Sequence, residues 1–429
     1  MKIGVIGGTG LDNPQILEDY KELNVDTPFG KPSSPIITGK IKGIEVFILS
    51  RHGRKHEFPP TQVNNRANIF ALKDCECKFI IATTACGSLR EEINRGDFVI
   101  LDQFIDFTKQ RKLTFFDKFE FGAIHTAMPE PFSEKLRKKL IEACKLTNSP
   151  FHEKGTVITI EGNRFSTKAE SHLFRQWGAD VINMSIAPEC ILANEAEIPY
   201  ATIALSTDYD SWKSDEEPVS WDAVLETFKK NTEKLKQIII KVVESFSYDA
   251  ECEEIKRKIR TVPDFSKPGV MFRDITTLLK DKEGMRKVVD IFYNRYRDEK
   301  IDIVAGIESR GFILGGILAE KLNAGFVPIR KKGKLPGEKV SENYFLEYGT
   351  DTIEVHKDAI LPGQKVLIID DLIATGGTAF ASCSLVEKLG GKIHEIAFIV
   401  NLPDLKGKEK LSRWKVFSVV DFPENEENN

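Results

Sequence analysis

Uninterrupted apolar runs, separated by amphipathic helical patterns, recur along the chain and decide its fold class. Early examples are KIGVIGG from residue 2 and FIIATTA from residue 79, and late ones are IDIVAGIE from residue 301 and KVLIIDD from residue 365. A strand that is apolar without alternation is buried on both faces, and a helix between two such strands is the usual crossover in a parallel sheet. The chain is therefore predicted to be an α/β protein with mostly parallel sheets.

A polar stretch in the middle of the chain predicts a domain boundary. Residues 221–246 form an amphipathic helical pattern, which is followed by the charged segment SYDAECEEIKRKIR and the turn-rich segment VPDFSKPGVMF. Because 429 residues are ample for two domains, we predict tandem α/β domains over residues 1–250 and 251–429. The apolar positions of the helix share one face: Val224, Leu225, Phe228, Leu235, Ile239, Val242 and Phe246.

Bulk composition gives no sign of a nucleic-acid-binding or membrane protein. The net charge is −4 at pH 7, and no apolar segment is long enough to span a bilayer. The seven cysteines are scattered without a Cys-x-x-Cys pair, so neither a disulfide framework nor a zinc site is expected. The odd number and the scatter of the cysteines favour a reduced, cytoplasmic protein, and the first residues enter a strand at once, without the apolar core of a signal peptide.

The glycine-rich turn GVIGGTGLDN, after the first strand, fails the common nucleotide-binding patterns. A dinucleotide fingerprint that starts at Gly8 reaches Gly10 but then meets Asn13 where a glycine is needed. A nucleotide P-loop fails too, because no Gly-Lys pair is followed by Ser or Thr. A small-residue turn with the hydroxyl of Thr9 suits a single phosphate, and a tight structural turn remains the alternative.

The segment VLIIDDLIATGGT, residues 366–378, indicates a more specific site. Asp370 and Asp371 end a buried strand, where α/β sheets place their ligands, and adjacent carboxylates accept hydrogen bonds from the two hydroxyls of a ribose. A solvated acidic pair fits poorly at the edge of a buried sheet. The loop that follows suits one phosphate monoester, so the whole segment indicates a ribose 5-phosphate group. The loop residues are Ala374, Thr375, Gly376, Gly377 and Thr378.

This segment resembles the phosphoribosyl pyrophosphate (PRPP) motif of type I phosphoribosyltransferases. Residues 255–415 are similar to adenine phosphoribosyltransferases, with matching segments IRTVPDFSKPGVMFRDIT, IVAGIESRGF, IRKKGKLPG and FLEYGTD. The resemblance implies a parallel sheet, with the segment KKGKLPGEKVSENYFLEYG as a mobile lid that excludes water. It also implies Mg²⁺, bound mainly through PRPP, since pyrophosphate is a hard oxygen ligand.

The same resemblance assigns roles around PRPP and adenine. Glu347 is expected beside the imidazole ring of the purine, where it handles a proton, and Phe272 is expected to stack on the base. The backbone of Met271 and Arg273 would read the edge of adenine. Taken alone, Phe272 could be a core residue and the lysine run a solvated face. The cations expected near the phosphates are Arg310, Arg330, Lys331, Lys332 and Lys334.

Residues 1–246 resemble methylthioadenosine phosphorylases, within the trimeric purine nucleoside phosphorylase family. The matching segments are IGVIGGTGLD, DTPFGKPS, ATTACGSLREEI and STDYDSW, together with the RHG turn at residue 51 and ADVINMS at residue 179. The resemblance implies a mixed central sheet and phosphorolysis, in which phosphate attacks C1 of the ribose and adenine leaves. The residues implied around the phosphate are Thr9, Arg51, His52, Thr84 and Ser185.

Asp208 and Asp210 indicate which base leaves. The amino group of adenine is a donor, which a carboxylate accepts, whereas the 6-oxo group of hypoxanthine or guanine is an acceptor. A protonated Asp208 could also give a proton to N7 as the base departs. Without the other motifs, the pair could be an exposed acidic turn. The further residues implied around the nucleoside are Ala85, Phe165, Asn183, Met184 and His125, the last reaching a neighbouring subunit's 5′ pocket.

The chain departs from its relatives in two places. Asn163 stands where a proline is expected near the base. Relatives also continue into a further C-terminal helix that lines the 5′-methylthio pocket, whereas this chain passes into its second domain. The sequence therefore indicates adenine as the base and leaves methylthio or hydroxyl open at the 5′ position.

Together the halves predict a bifunctional purine-salvage enzyme that releases adenine from 5′-methylthioadenosine and converts it with PRPP to AMP. Inorganic phosphate and PRPP would be co-substrates. The alternatives are a first domain that acts on adenosine or on 6-oxopurine nucleosides, and a domain that only senses its ligand. By resemblance we expect a homo-oligomer, a trimer or, with a second twofold interface, a hexamer.

Overall fold

The computed structural model describes residues 1–7, 16–119, 122–216, 219–265, 268–345 and 350–424. The chain divides into two units, Met1–Tyr248 and Asp249–Asn429, and each has its own sheet and core. Both units are of the α/β type, which confirms the predicted fold class. The boundary between the units lies inside one long helix, α5 (Trp221–Arg257).

The described part of the first unit forms an eleven-stranded sheet. Its strands are β1 (Lys2–Gly7), β2 (Glu18–Leu23), β3 (Ile36–Ile41), β4 (Ile44–Ser50), β5 (Phe79–Ser88), β6 (Phe98–Ile100), β7 (Gln103–Phe107), β8 (Phe151–His152), β9 (Thr156–Ile160), β10 (Val181–Asn183) and β11 (Tyr200–Tyr209). The helices of this unit, besides α5, are α1 (Asn65–Asp74), α2 (Glu134–Leu146), α3 (Lys168–Gln176) and α4 (Ile186–Glu195).

Strand β5 is the centre of the first sheet. It pairs in parallel with β1 and β11 and antiparallel with β10, and β1 pairs in parallel with β4. The mixed directions confirm the mixed sheet that the resemblance implied. Because β1, β4, β5 and β11 run the same way, the turn after β4 and the ends of β5 and β11 meet at one edge of the sheet.

The second unit has a seven-stranded sheet in its described residues, in the order β16-β17-β15-β14-β18-β19-β20. Strands β14 (Ile303–Ile307), β15 (Gly325–Lys331), β18 (Lys365–Ile373), β19 (Lys392–Asn401) and β20 (Val416–Asp421) are parallel, as predicted. Strands β16 (Lys339–Phe345) and β17 (Thr350–His356) form an antiparallel edge. The segment predicted as a lid therefore contains a strand, and its mobility stays a prediction.

Shorter elements complete the second unit. A separate hairpin consists of β12 (Arg260–Pro263) and β13 (Met271–Asp274). The helices are α6 (Thr276–Lys280), α7 (Lys282–Tyr296), α8 (Gly311–Leu322), α9 (Gly377–Lys388) and α10 (Gly407–Lys410). Helix α9 starts at Gly377, within the loop that the sequence predicts to bind phosphate.

Helix α5 buries the face that its apolar periodicity predicts. Leu235, Ile239 and Val242 are at most 1% exposed and pack in the core of the first unit with residues of β1, β4 and β11. Burial at about 25 cal/mol per Å² of apolar surface makes such a stripe a main source of stability for the helix. Among the described residues, no helix combines the length and the apolar character needed to cross a bilayer.

Candidate functional sites

A cavity of about 640 Å³ opens in the first unit at the edge where β5 and β11 end. The structure brings ten of the predicted site residues together in its lining: Arg51, His52, Thr84, Ala85, Phe165, Asn183, Met184, Ser185, Asp208 and Asp210. His125 lies on an exposed segment and does not line this cavity. Thr9 lies outside the described residues.

One part of the lining is built to hold an anion. Ser185 lines the cavity and directly precedes α4, whose first turn offers few free N–H groups, because the Ala187 N–H donates to Thr159 Oγ1 at 3.1 Å and Pro188 has none. The hydroxyl oxygens of Thr84 and Ser185 are 3.3 Å apart, and the Asn183 amide donates to Thr84 Oγ1 at 3.4 Å. Hydroxyl and amide groups bind phosphate without adding a formal charge, and the sequence predicted the residues that carry them.

The guanidinium of Arg51 lines the same cavity and forms an ion pair with Glu189, which does not line it. Its Nε donates to Glu189 Oε1 at 2.5 Å, and its Nη2 donates to Glu189 Oε2 at 2.9 Å. Burial lowers the pKa of Arg51, but the Glu189 carboxylate outweighs burial and leaves that pKa above its ordinary value. Glu189 is a residue that the sequence analysis missed. A lone carboxylate in the apolar helix pattern IAPECILA was the available signal.

The imidazole of His52 is held in one neutral form. Its Nδ1 lies 2.8 Å from the carbonyl oxygen of Phe58, which can only accept, so Nδ1 carries the hydrogen and Nε2 has the free lone pair. Burial, and then the charge of Arg51, lower the pKa of His52 to about 4. His52 can therefore accept a hydrogen bond from a protonated phosphate oxygen or a sugar hydroxyl near neutral pH.

Asp208 and Asp210 form a buried pair of carboxyl groups in the cavity wall. Burial and the neighbouring charge of Asp210 raise the pKa of Asp208 to about 6, against the hydrogen bond that Thr207 donates to it at 2.7 Å. Burial also raises the pKa of Asp210, which accepts a hydrogen bond from the Ser166 hydroxyl. A carboxyl group with a pKa of about 6 can both hold and give a proton near neutral pH.

An apolar wall of the cavity comes from the start of α5. It consists of Trp221, Val224, Leu225 and Phe228, and Trp221 is 49% exposed. The ring of Trp221 lies 5.3 Å from that of His56, which stacks on His52 at 4.5 Å. The sequence analysis assigned three of these residues to the core and missed their second role, because periodicity alone does not tell a core face from a cavity wall. Asn163 also lines the cavity.

The second unit brings Asp370, Asp371 and Arg310 together at the end of β18. Arg310 Nε lies 2.9 Å from Asp371 Oδ2, and the backbone N–H of Asp371 donates to Asp370 Oδ1 at 2.9 Å. Burial and the charge of Asp371 raise the pKa of Asp370 well above its ordinary value. The Arg310 guanidinium also lies 5.6 Å from the ring centre of Phe272, so the predicted base-stacking residue adjoins the carboxylates.

The predicted phosphate loop turns tightly into the N-terminus of α9. Gly376 has a φ of +74°, which L-residues with a side chain rarely adopt, and α9 begins at Gly377. The loop packs against Gly407, where a Cβ atom would come within 2.2 Å of the carbonyl oxygen of Ala374. Gly407 was missed by the sequence analysis, because the contact is made across the fold and has no local signature.

The predicted cationic segment is partly neutralised. Arg330 Nε pairs with Glu308 Oε2 at 3.1 Å, and the same oxygen accepts the backbone N–H of Lys331 at 2.9 Å. The side chains of Lys331, Lys332 and Lys334 are exposed. Glu308 was missed, although it stands in the ESRGF motif beside Arg310. The positive charge of Arg330 is therefore partly offset by Glu308 before any ligand binds.

The hairpin of β12 and β13 presents the residues predicted to bind adenine. Phe272 packs on Phe265 with ring centres 4.7 Å apart. The guanidinium of Arg273 lies over the Phe422 ring at 4.4 Å, and Arg273 is buried. Arg273 pairs with Thr261 in the hairpin, and recognition of the base by its backbone stays a prediction. Met271 is exposed, and Glu347 lies outside the described residues.

Comparisons with known proteins agree with this division. A model of the phosphorylase superfamily matches residues 2–244, and a model of the phosphoribosyl transferase domain matches residues 274–428. The S-methyl-5′-thioadenosine phosphorylase of Xenopus tropicalis is 56% identical over 247 residues, which cover 57% of this chain and 88% of the relative. That of Drosophila melanogaster is 46% identical over 274 residues, covering 63% and 95%. The solved structure of methylthioadenosine phosphorylase from Schistosoma mansoni in complex with adenine matches with a TM-score of 0.55 and 41% identity, over 57% of this chain and 92% of that one.

Proposed function

Because the chain belongs to the phosphorylase superfamily through residues 2–244 and carries a phosphoribosyltransferase domain over residues 274–428, we propose that it is a bifunctional purine-salvage enzyme. Both halves transfer pentosyl groups. The first half, residues 1–250, converts 5′-methylthioadenosine and phosphate to adenine and 5-methylthioribose 1-phosphate. The second half, residues 251–429, converts adenine and PRPP to AMP and pyrophosphate. The observation that carries the proposal is one cavity in which an acidic pair adjoins an anion-binding wall.

In the first reaction, phosphate is held at the wall formed by Arg51, Thr84 and Ser185 and attacks C1 of the ribose. Thr9 is proposed to add a further hydroxyl. Neutral donors and one paired arginine hold the phosphate without removing the electron density that it needs as a nucleophile. His52 accepts a hydrogen bond through its free Nε2. Met184 and Asn183 contact the ribose, where a thioether packs well against a sugar face.

The leaving base takes a proton from Asp208. As the bond from C1 to N9 breaks, negative charge develops on the purine ring, and a proton delivered to N7 neutralises it. The buried position of Asp208 keeps part of this carboxyl protonated near neutral pH. Asp210, held by Ser166, accepts a hydrogen bond from the adenine amino group, and Phe165 stacks on the base. Ala85 lies beside the base, and His125 is proposed to act in a neighbouring subunit.

The apolar wall favours a methylthio group at the 5′ position over a hydroxyl. Trp221, Val224 and Leu225 offer mainly carbon surface, and the two aliphatic side chains have no group that could pair with a hydroxyl. Burying an unpaired hydroxyl costs about 1–3 kcal/mol, whereas each buried methylene contributes about 0.8 kcal/mol. The difference between these two free energies favours binding of a 5′-methylthio nucleoside over a 5′-hydroxyl nucleoside.

In the second reaction, Asp370 and Asp371 hold the ribose hydroxyls of PRPP, and the loop Ala374–Thr378 holds its 5-phosphate. The N-terminus of α9 lies behind that loop and adds favourable N–H groups. Arg310 and the basic segment neutralise the leaving pyrophosphate. Phe272 stacks on adenine, with backbone groups of Met271 and Arg273 at its edge, and Glu347 handles a base proton.

Mg²⁺ fits this site as a companion of PRPP. Among the described residues, no group of three or more acidic, histidine or cysteine side chains could hold a metal, and Asp371 is already paired with Arg310. The protein therefore offers few ligands of its own, and pyrophosphate oxygens would supply most of them. When bound, the ion would neutralise charge on the leaving pyrophosphate.

Substrate preference tests the proposed function. Purified enzyme is offered methylthioadenosine, adenosine and inosine with phosphate, and separately adenine, hypoxanthine and guanine with PRPP and Mg²⁺. We expect methylthioadenosine to be preferred over inosine, and adenine over hypoxanthine and guanine, by at least about tenfold in kcat/KM, because buried groups matched to an amino donor are left unpaired by a 6-oxo acceptor. Methylthioadenosine should also be preferred over adenosine, because of the apolar wall. Preference for inosine would identify a 6-oxopurine phosphorylase. Failure of every base with PRPP would indicate that the second unit only senses its ligand.

A further inference from the structure

We propose that Glu189 is a positioning residue for the phosphate nucleophile: it aims the guanidinium of Arg51, and Tyr200 holds Glu189 in place. The inference rests on the proposed phosphorolysis and deepens it. Neither Glu189 nor Tyr200 lines the cavity, so any effect that they have on phosphate must pass through Arg51.

The hydrogen bonds of Arg51 show how the orientation of its guanidinium is fixed. Of its five N–H groups, one on Nε, one on Nη1 and one on Nη2 have acceptors among the described residues, namely Glu189 and the carbonyl oxygen of Thr83 at 2.8 Å. One N–H on Nη1 and one on Nη2 remain for a ligand. Because a guanidinium is planar and rigid, fixing three of its N–H groups fixes the directions of the other two. Two N–H groups are what an arginine offers to a phosphate in a bidentate contact.

The carboxylate of Glu189 is itself fixed. It lies in the first turn of α4, is 0% exposed, and its Oε2 accepts the Tyr200 hydroxyl at 2.9 Å. Tyr200 is 1% exposed at the start of β11, the strand that ends at the acidic pair. A second-layer contact of this kind orients a ligand-binding group without touching the ligand. The ion pair thus ties Arg51 to both α4 and β11.

Glu189 also offsets the positive charge of Arg51. Charge offset would weaken phosphate binding, whereas orientation of the guanidinium would strengthen it. Removing the carboxylate by Glu189→Gln would strengthen phosphate binding if charge offset were its main role. The same change would weaken binding if orientation were its main role, because Glu189 is the carboxylate that holds this guanidinium among the residues that the structure describes. The rest of the proposed phosphate wall is uncharged near neutral pH, so binding depends on the direction of these N–H groups. We therefore expect orientation to dominate.

The second unit provides a matched control. There, Arg295 Nε and Nη2 donate to Glu395 at 2.6 and 2.8 Å, and the Tyr296 hydroxyl donates to the same carboxylate at 2.7 Å. Glu395 is 4% exposed, so this arginine–glutamate–tyrosine group repeats the chemistry of the first one outside the phosphorylase unit. Glu395→Gln removes a similar buried carboxylate without touching Arg51.

The test compares KM for phosphate with KM for methylthioadenosine in wild type, Glu189→Gln, Glu189→Asp, Tyr200→Phe and Glu395→Gln. For Glu189→Gln we expect KM for phosphate to rise about tenfold to a hundredfold, the range for losing a hydrogen bond to a charged group. KM for methylthioadenosine should change less than about twofold. Tyr200→Phe should raise KM for phosphate by a smaller factor, Glu189→Asp should retain part of the wild-type affinity, and Glu395→Gln should match wild type.

Folding defects are separable from this effect, since partial misfolding lowers the apparent kcat and leaves KM unchanged. If Glu189→Gln fails to fold, Tyr200→Phe, which keeps the ion pair, carries the test alone. An unchanged or lower KM for phosphate in the folded variants, or an equal rise in both KM values, overturns the positioning role. Absence of phosphate-dependent adenine release in wild type would instead count against the proposed phosphorolysis.

Discussion

Replacing Asp208 by asparagine is expected to lower kcat for adenine release from methylthioadenosine about a hundredfold to ten-thousandfold, the usual contribution of a general acid. Asparagine can still accept a hydrogen bond but cannot give a proton to the departing purine. The measurement is the initial rate of adenine formation at saturating phosphate. The formation of AMP from added adenine and PRPP is the internal control and should keep its wild-type rate. A variant with more than about a tenth of wild-type kcat would contradict the assigned role.

The same substitution should also make the protein more stable near neutral pH. The pKa of Asp208 is raised in the folded state from 3.8 to about 6, mainly by burial. The protonated carboxyl of Asp208 therefore makes its full contribution to the free energy of unfolding below about pH 3.8. This contribution is lost as pH rises through about 6, and the loss is roughly 3 kcal/mol, at about 1.4 kcal/mol per pKa unit. Asparagine does not ionise and avoids this loss.

Denaturant unfolding of the first unit at pH 4 and pH 8 checks the stability prediction. We expect the free energy of unfolding of Asp208→Asn, relative to wild type, to rise between these two pH values. A gain in stability together with a loss of activity marks a residue kept for catalysis. A relative stability that does not change between pH 4 and pH 8 would show that Asp208 titrates normally.

Replacing Asp371 by asparagine should have the largest effect on the second reaction. The change removes a carboxylate proposed to hold the ribose hydroxyls and leaves Arg310 without its 2.9 Å partner. Losing the proposed charge-assisted hydrogen bonds to two ribose hydroxyls, at about 1.5–3 kcal/mol each, should lower kcat/KM for PRPP by about a hundredfold or more. AMP formation at varied PRPP measures this, and adenine release from methylthioadenosine should be unchanged.

Asp302→Asn is the matched control for this variant. Asp302 accepts the backbone N–H of Lys365 at 2.7 Å, at the start of the strand that Asp371 nearly ends. It is thus an aspartate on the same strand pair but at the opposite edge of the sheet. We expect its kcat/KM for PRPP to stay near wild type. Equal losses in Asp302→Asn and Asp371→Asn would point to a general defect of the sheet.

The sequence predicted the buried strands well and the edge strands poorly. Segments such as KIGVIGG and KVLIIDD are apolar throughout, because they lie inside a sheet, and each is a strand in the structure. Strand β2 (Glu18–Leu23), with the sequence EDYKEL, was missed because nearly all its side chains are exposed at the sheet edge. Strand β16 lies in the segment predicted as a lid, and β17 was not predicted, since the charged and polar residues of both strands hide the pattern.

The residues of the candidate sites likewise divide into those that could be predicted from the sequence and those that could not. Residues within a local motif, such as Asp208 in STDYD and Asp371 in VLIIDD, could be found because neighbours in sequence stay neighbours in space. Glu189 and Gly407 act through partners that are far away in sequence, 138 residues in the case of Arg51 and Glu189. Trp221 precedes a helix face that reads as ordinary core. These residues became visible only when the fold brought their partners together.

The central claim is that one chain frees adenine and then uses it. The direct measurement is to incubate the enzyme with methylthioadenosine labelled in its base, phosphate, PRPP and Mg²⁺, and to follow the label. We expect label to reach AMP only when both phosphate and PRPP are present. Without PRPP it should stop at adenine, and without phosphate it should stay in methylthioadenosine. Label that accumulates as adenine in the complete mixture, or that reaches AMP without phosphate, would contradict the proposed sequence of two reactions.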